Sequence, residues 1–421
     1  MAGEYFRING TKGFGEHMGI GLERPGITES DRRLRAELVG RAAGLVPLLR
    51  QNAQRTEDER RLTDDNLAAI KAAGLFAITQ PKRFGGLEVD FRTKLEVVRE
   101  LARGCGSTAW TVGLLTDGSW LASMWNEQAQ KDIWADSPAN LVAGVVPPSG
   151  EIRIVDGGYR VSGRWANCSG CLHAQWILLG TPPVTADGQE IEPGLVLVPV
   201  SQVKIDDTWF MAGMKGTGSD TIVADDVLVP AHRFLSVAKL LAGENDNPHK
   251  EELPYRVPFI PTAIVTMTAP HLGLARAALD LVIEKAAQRG ISYTFYEVQK
   301  DAPTVQLAVA KAASLADTAE LLAYRAAGDT DEAAQQGTYP DYATRARIRM
   351  DAVQAIVYAR EAIRELISAH GSAAFSDTHP LQRLWRDCEV ASRHAIANPA
   401  IGAEIYGRSL LGINEGVTPL V

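Results

Sequence analysis

The sequence lacks the motifs of the common nucleotide- and metal-dependent enzymes. No G-x-G-x-x-G follows a predicted strand, and no P-loop, H-E-x-x-H helix or G-x-S-x-G turn occurs. The eight histidines are scattered, and no two have the spacing of metal ligands on one helix face. We therefore expect no bound metal, and any cofactor must bind in a way that these motifs do not describe.

Long apolar runs and a basic stripe are also missing. No run approaches the roughly 20 apolar residues of a membrane-spanning helix. The first 25 residues are rich in glycine and charge and lack an apolar signal core, so we expect a cytoplasmic protein. Lys plus Arg total 43 against 51 Asp plus Glu, and the signs are mixed along the chain, which argues against nucleic acid as a partner.

Cysteine is scarce, with four residues in 421. This count fits a reducing compartment and free thiols better than a disulfide framework. Cys168 and Cys171 form a C-x-x-C, but it follows a strand-like stretch, and His173 nearby still leaves a metal without a fourth ligand. We expect packed thiols here.

Hydrophobic patterning divides the chain into three zones. Up to about residue 135, apolar residues recur at spacings of three and four, which predicts helices. Residues 136–245 contain short Val-, Ile- and Leu-rich stretches, with a hairpin signal at residues 156–158 and no helical crossover, which predicts an antiparallel sheet or barrel. From residue 246 onward, long Ala- and Leu-rich helical segments predict an up-down bundle, the last of them over about 382–406.

Four stretches combine small, hydroxyl and aromatic residues as ligand sites do. In residues 105–110, Ser107 or Thr108 is expected to cap the helix that follows. Residues 163–170 offer backbone N–H groups and short side chains for close approach to a planar ligand. Residues 213–220 contain glycines and hydroxyls that can wrap phosphate oxygens. Residues 385–395 contain a histidine, His394, near their end. Each stretch alone is at least as compatible with an ordinary helix start, turn, loop or structural histidine.

Together, the zone order and these stretches resemble the acyl-CoA dehydrogenase fold from about residue 28 to residue 412. The closer resemblance is to flavin-dependent monooxygenases of two-component systems, such as hydroxylases of phenols. It implies an α+β fold with an N-terminal helical domain (1–135), a central antiparallel β domain (136–245) and a C-terminal four-helix bundle (246–421). The motifs that carry it are TEDERRL (56–62), PKRFGG (81–86), GSTAW (106–110), GYRVSG (158–163), MKGTGS (214–219), VP (229–230) and PLQRLWRD (380–387).

The resemblance implies a monooxygenase rather than a dehydrogenase. Acyl-CoA dehydrogenases need a glutamate base, but its usual place holds His394-Ala395-Ile396, and the alternative place near residues 262–265 also lacks one. Reduced FMN or FAD from a separate flavin reductase would react with O₂, through a flavin hydroperoxide, to hydroxylate a small aromatic, phenolic or polyketide-type substrate. An amino-sugar N-oxygenase of natural-product biosynthesis on the same fold, and an acyl-CoA dehydrogenase, remain the alternatives.

The resemblance also implies roles for individual residues. His394 is the expected base for phenol deprotonation, and Trp110 and Cys105 would line the substrate pocket with it. Ser169 is the expected catalytic hydroxyl beside the flavin's central ring nitrogen, although the common Ser-Ser-Gly of the family is Cys168-Ser169-Gly170 here. Arg289 would reach a neighbouring subunit's flavin in a homotetramer. The residues expected to bind flavin are Asn167, Cys168, Ser169, Gly170, Thr217, Gly218, Ser219 and Arg289, with Thr217 to Ser219 at the phosphate.

Overall fold

The computed structural model describes residues 27–185, 188 and 190–421, so the expectation about the first 25 residues lies outside the described residues. Helices come first. In the described ranges they are α1 (Glu29–Gln51), α2 (Ala53–Asp58), α3 (Asp64–Ala72), α4 (Phe91–Ala102), α5 (Gly106–Ala122) and α6 (Glu127–Trp134). α1 begins at a capping box, in which Thr28 Oγ1 accepts the backbone N–H of Asp31 at 3.1 Å. The predicted helical first zone is therefore present.

The start of α5 differs from the sequence prediction. The helix begins at Gly106 with Cys105 as its N-cap and no side-chain cap, so the expected capping by Ser107 or Thr108 is wrong. A Cβ on Gly106 would lie 2.9 Å from Leu274 Cδ2, which shows how closely this end packs against the bundle. Tertiary packing, rather than a capping hydroxyl, therefore sets where α5 begins.

Within the described part of the central zone, the strands form two four-stranded sheets, with orders β1-β4-β5-β8 and β2-β3-β7-β6. The described strands are β1 (Val142–Pro148), β2 (Glu151–Val155), β3 (Gly158–Cys168), β4 (Trp176–Thr181), β5 (Gly194–Pro199), β6 (Lys204–Asp206), β7 (Asp220–Pro230) and β8 (Phe234–Ser236). The predicted hairpin is confirmed, because Val155 pairs with Gly158 across a turn that holds Gly157 at φ +79°.

The prediction of a purely antiparallel sheet is wrong at one pair. β1 and β4 run parallel, with Val142 opposite Trp176. Between them the chain forms the β2–β3 hairpin in the other sheet and then returns in its original direction. A connection through a second sheet thus replaces the helical crossover whose absence had suggested antiparallel pairing.

Helices return after the sheets: α7 (Val237–Leu241), α8 (Phe259–Ala286), α9 (Pro303–Gln336), α10 (Tyr342–His370), α11 (Pro380–Ala391) and α12 (Pro399–Leu410). α8 packs against α4, α5, α9, α10 and α11 and so links the bundle to the N-terminal helices. None of the helices in the described ranges is long and apolar enough to cross a membrane.

The last predicted helix, over about 382–406, is interrupted. α11 ends at Ala391, and α12 starts only at Pro399. Pro399 disfavours helical backbone at the residue before it, and Asn398 Oδ1 caps α12 by accepting the N–H of Ala400 at 3.0 Å. His394 therefore lies in the connection between two helices, where its position is set by both.

Candidate active site

The first turns of α5 meet the end of β3 at a pair of side chains. Trp110 Nε1 donates a hydrogen bond to Ser169 Oγ at 3.2 Å, and both side chains are buried. Gly170 follows at φ +76°, where a Cβ would lie 3.0 Å from Leu115 of α5. Glycine therefore permits both the turn and the close approach that bring Ser169 against the indole. Two of the sequence motifs, 59 residues apart, are joined here.

Two further buried hydroxyls form a hydrogen-bonded chain with that of Ser169. Ser169 Oγ lies 2.6 Å from Ser219 Oγ, which lies 2.7 Å from Thr217 Oγ1. Thr217 Oγ1 donates to the carbonyl oxygen of Met214 at 2.9 Å, and a carbonyl can only accept. The proton order follows: Ser219 donates to Thr217, and Ser169 donates to Ser219. Ser169 Oγ thus accepts from Trp110 and keeps one acceptor position free for a ligand.

Met214 connects this hydroxyl chain to the bundle. Its backbone, at φ +53°, donates its N–H to Asp387 Oδ1 on α11 at 2.6 Å, and its carbonyl also accepts from Trp209 Nε1 at 2.8 Å. Nearby, Glu57 accepts from Arg386 at 2.7 Å and lies 3.3 Å from Lys215. Three chain zones are thereby tied together around the Met214 turn, which fixes the hydroxyls in place.

Two histidine rings flank Trp110. His394 has its ring centroid 6.0 Å from the indole, at 53°, and His271 on α8 lies edge-on at 6.3 Å and 76°. His394 is exposed on the surface of the single chain, yet the protein around its ring lowers its pKa through desolvation. The sequence analysis did not identify His271 as a site residue, because a single histidine in an apolar helix belongs to no recognisable motif.

Not every expected site residue joins this group. Cys105 instead lines a crevice of about 90 Å³ with charged residues that include Arg103 and Arg383, and the Cys168 thiol packs in the core beside Cys171. Asn167 is exposed at φ +67°. Arg289 lies beyond α8, where its guanidinium contacts His370 Nε2 at 3.0 Å.

The four cysteines are buried free thiols. Burial raises the pKa of Cys105, and a hydrogen bond with Cys171, followed by burial, raises that of Cys168, so both thiols stay protonated at neutral pH. Among the described residues, no group of three or more His, Cys, Asp and Glu side chains is arranged to hold a metal ion.

Asp387 should make stability depend on pH. Burial, and secondarily Glu57, raises its pKa from 3.8 to about 6, against the Met214 N–H bond and Arg386. Between pH 4 and 6 the unfolded carboxyl has lost its proton while the folded one keeps it, so stability should fall by about 3 kcal/mol as pH rises. Asp387→Asn keeps an acceptor for Met214 and should lack this fall in urea unfolding; parallel pH curves for the two proteins would refute the assignment.

Comparison with known proteins places this geometry in a family. The models described as acyl-CoA dehydrogenase N-terminal domain and C-terminal domain match residues 34–139 and 265–399. The chain is 33% identical over 393 residues to the flavin-dependent monooxygenase oxygenase subunit HsaA of Mycobacterium tuberculosis, covering 93% of this chain and 100% of that protein. It is 34% identical to the oxygenase component of the FADH₂-dependent resorcinol hydroxylase of Rhizobium sp., covering 89% and 94%.

Solved structures agree with the sequence relatives. XiaF from Streptomyces sp., in complex with FADH₂ and glycerol, superposes with a TM-score of 0.87 at 36% identity, covering 93% of this chain and 98% of that one. The 3-HSA hydroxylase from Rhodococcus sp. RHA1 gives the same TM-score at 33% identity, covering 91% and 99%. The predicted fold class and the predicted monooxygenase branch are confirmed. The chain belongs to the oxygenase components of two-component flavin-dependent monooxygenases, which have the acyl-CoA dehydrogenase fold.

Proposed function

We propose that the protein hydroxylates a small phenolic substrate beside Trp110, using O₂ and reduced FMN or FAD delivered by a separate flavin reductase. The observation that carries this proposal is the arrangement around one indole. A buried hydroxyl chain begins at Ser169 on one side, and the ring of His394, whose pKa is lowered by desolvation, lies on another. An acceptor for a cofactor and a base for a substrate are thus held against the same aromatic side chain.

The residues around Ser169 fit a reduced flavin. The proton order of the hydroxyl chain leaves Ser169 Oγ with a free acceptor position, and the central ring of a reduced flavin carries an N–H donor. Two large apolar side chains are exposed nearby, Leu172 at 42% and Phe210 at 69%. Such side chains can pack against the planar ring system of a bound flavin. When bound, the reduced flavin supplies the activation of O₂ from which one oxygen atom reaches the substrate.

The flavin-phosphate site that we propose at residues 217–219 excludes the hydroxyls of these residues. The hydroxyls of Thr217 and Ser219 are committed to Met214, to Ser169 and to each other. Gly218, at φ +51° between them, leaves the backbone free of a side chain at this turn. We assign the backbone N–H groups of Gly218 and Ser219, rather than the hydroxyls, to the flavin phosphate, because the Thr217 N–H already donates to the Met214 carbonyl at 3.2 Å.

His394 serves the substrate in this proposal. Its lowered pKa keeps the imidazole neutral at pH 7, so it can take the proton of a phenol hydroxyl and make the ring a better nucleophile. Trp110, which is 7% exposed, supplies an apolar wall that limits the access of water to the reacting atoms.

A homotetrameric, cytoplasmic enzyme is part of the proposal. Tyr293 and Phe295 project fully into solvent from the connection after α8, and Leu307 on α9 is 71% exposed. Large apolar side chains exposed in this way favour contact with another copy of the chain. Arg289 stands at the base of this connection, where it can reach a flavin bound by a neighbour.

A single-turnover reaction tests the proposed function. The protein is mixed with photoreduced FMN or FAD without O₂, then with ¹⁸O₂ and resorcinol or 4-hydroxyphenylacetate, and the products are analysed by mass spectrometry. We expect a phenol product that contains one ¹⁸O atom and depends on the protein. Release of H₂O₂ alone across a phenol panel, together with oxidation of an acyl-CoA or of an amino sugar, would replace this proposal by one of its alternatives.

A further inference from the structure

His271 holds a buried hydrogen-bonding atom that the described fold does not satisfy. The side chain is 0% exposed in the middle of α8, and Nδ1 lies 2.9 Å from the carbonyl oxygen of Met267. A carbonyl accepts, so Nδ1 carries the proton and Nε2 has a free lone pair. Nε2 has no partner among the described residues. A buried acceptor without a partner costs roughly 1–3 kcal/mol, so a fold that keeps one beside its active site calls for an explanation.

The ring stays neutral in the working range of pH. Burial, together with the nearby Arg360 and His394, lowers the pKa of His271 to about 4, although the bond to Met267 acts in the opposite sense. Nε2 is therefore an acceptor at neutral pH. Because Nδ1 is bonded to the backbone of α8 itself, Nε2 on the other side of the ring is directed away from α8, toward the helices packed against it.

One of those helices, α5, carries Trp110, the proposed wall of the substrate pocket. The ring of His271 stands edge-on to Trp110, and the side chains of Leu114 and Met267 pack on the same small cluster while remaining only partly buried. Met267 is unbranched and flexible, so it can move aside for a ligand without loss of the helix. Both histidines thus lie against Trp110, with the buried His271 on its inner side and the exposed His394 on its outer side.

We propose that His271 is a specificity-determining residue, whose Nε2 accepts a hydrogen bond from a second donor group of the substrate. The substrate is then a phenol with a further hydroxyl or N–H, bound along Trp110 with one donor at His394 and the other at His271. A monohydric phenol would leave Nε2 unpaired. This inference rests on the proposed function and refines it by naming the substrate class.

Paired probes isolate the second donor. Resorcinol has two hydroxyls, and 3-methoxyphenol is the same ring with one of them blocked. For the wild-type protein we expect a KM and a calorimetric Kd at least tenfold lower for resorcinol. His271→Phe keeps an aromatic ring without the acceptor, and should raise both constants about tenfold for resorcinol while leaving those for 3-methoxyphenol unchanged. His271→Gln restores an acceptor oxygen and should recover part of the preference.

Controls separate this inference from the function on which it rests. His249→Phe removes a histidine whose Nε2 is also unpartnered but which lies in the loop before α8, and it should leave the preference intact. A wild-type preference that survives in a folded His271→Phe protein would overturn the inference. If the wild type hydroxylates no phenol at all, the proposed function fails, while the calorimetric comparison of the two probes still decides the role of His271.

Discussion

Replacement of His394 by alanine is expected to lower kcat for phenol hydroxylation by about 10²–10⁴-fold, the usual contribution of a general base. The oxidation of reduced flavin should continue, with H₂O₂ as its product, because Ser169 and its hydroxyl chain remain in place. The physical reason is the position of the neutral imidazole against Trp110, on the exposed side of the cluster. Product yield and H₂O₂ release per reduced flavin, measured in one single-turnover experiment, give both quantities.

The pH dependence distinguishes a base from a structural residue. A phenol ionises by itself near pH 10, so the His394→Ala protein should regain hydroxylation as pH rises toward that value. A loss of packing would not be repaired by pH. Arg393→Ala, which removes the exposed neighbour paired with Glu389 at 2.8 Å, should behave as the wild type. Full product yield from His394→Ala at pH 7 would remove this residue from the mechanism.

Loss of Asp117 should produce the largest fall in stability, about 3–5 kcal/mol in the free energy of urea unfolding. Asp117 on α5 pairs with Lys94 on α4, which is 1% exposed, and it accepts from Thr266 Oγ1 on α8 at 3.0 Å. Burial lowers the pKa of Lys94 and raises that of Asp117, so each charge depends on the other. In Asp117→Leu the ammonium group would stay buried without its counter-charge, at the junction of three helices.

A double substitution isolates the buried charge as the cause. Removal of both charges by Lys94→Met with Asp117→Leu should recover most of the lost stability, because no unpaired charge remains. Lys131→Ala breaks an exposed ion pair with Glu127, at 2.9 Å, and should cost less than about 1 kcal/mol. If Asp117→Leu were no less stable than Lys131→Ala, the pair would have no structural role.

Local patterns predicted much of the fold. Repeats of apolar residues at helical spacing, the Asp156-Gly157 turn and the short Val-, Ile- and Leu-rich stretches of the central zone are properties of a few neighbouring residues, and they predicted the elements and their order. The errors fell where distant contacts decide. β1 pairs parallel with β4 because a hairpin enters the other sheet between them, and α11 ends before His394 because Asn398 and Pro399 start a new helix.

For the active site, the sequence by itself determined the residue types and, through its motifs, the family and the cofactor class. Only the tertiary structure decided which of those residues meet. It placed Ser169 against Trp110 and gave the hydroxyls a proton order. It placed the thiols of Cys168 and Cys105 outside this group. It also added His271, because the unpaired state of an imidazole nitrogen depends on what the helices packed against α8 place around it, and no local pattern contains that information.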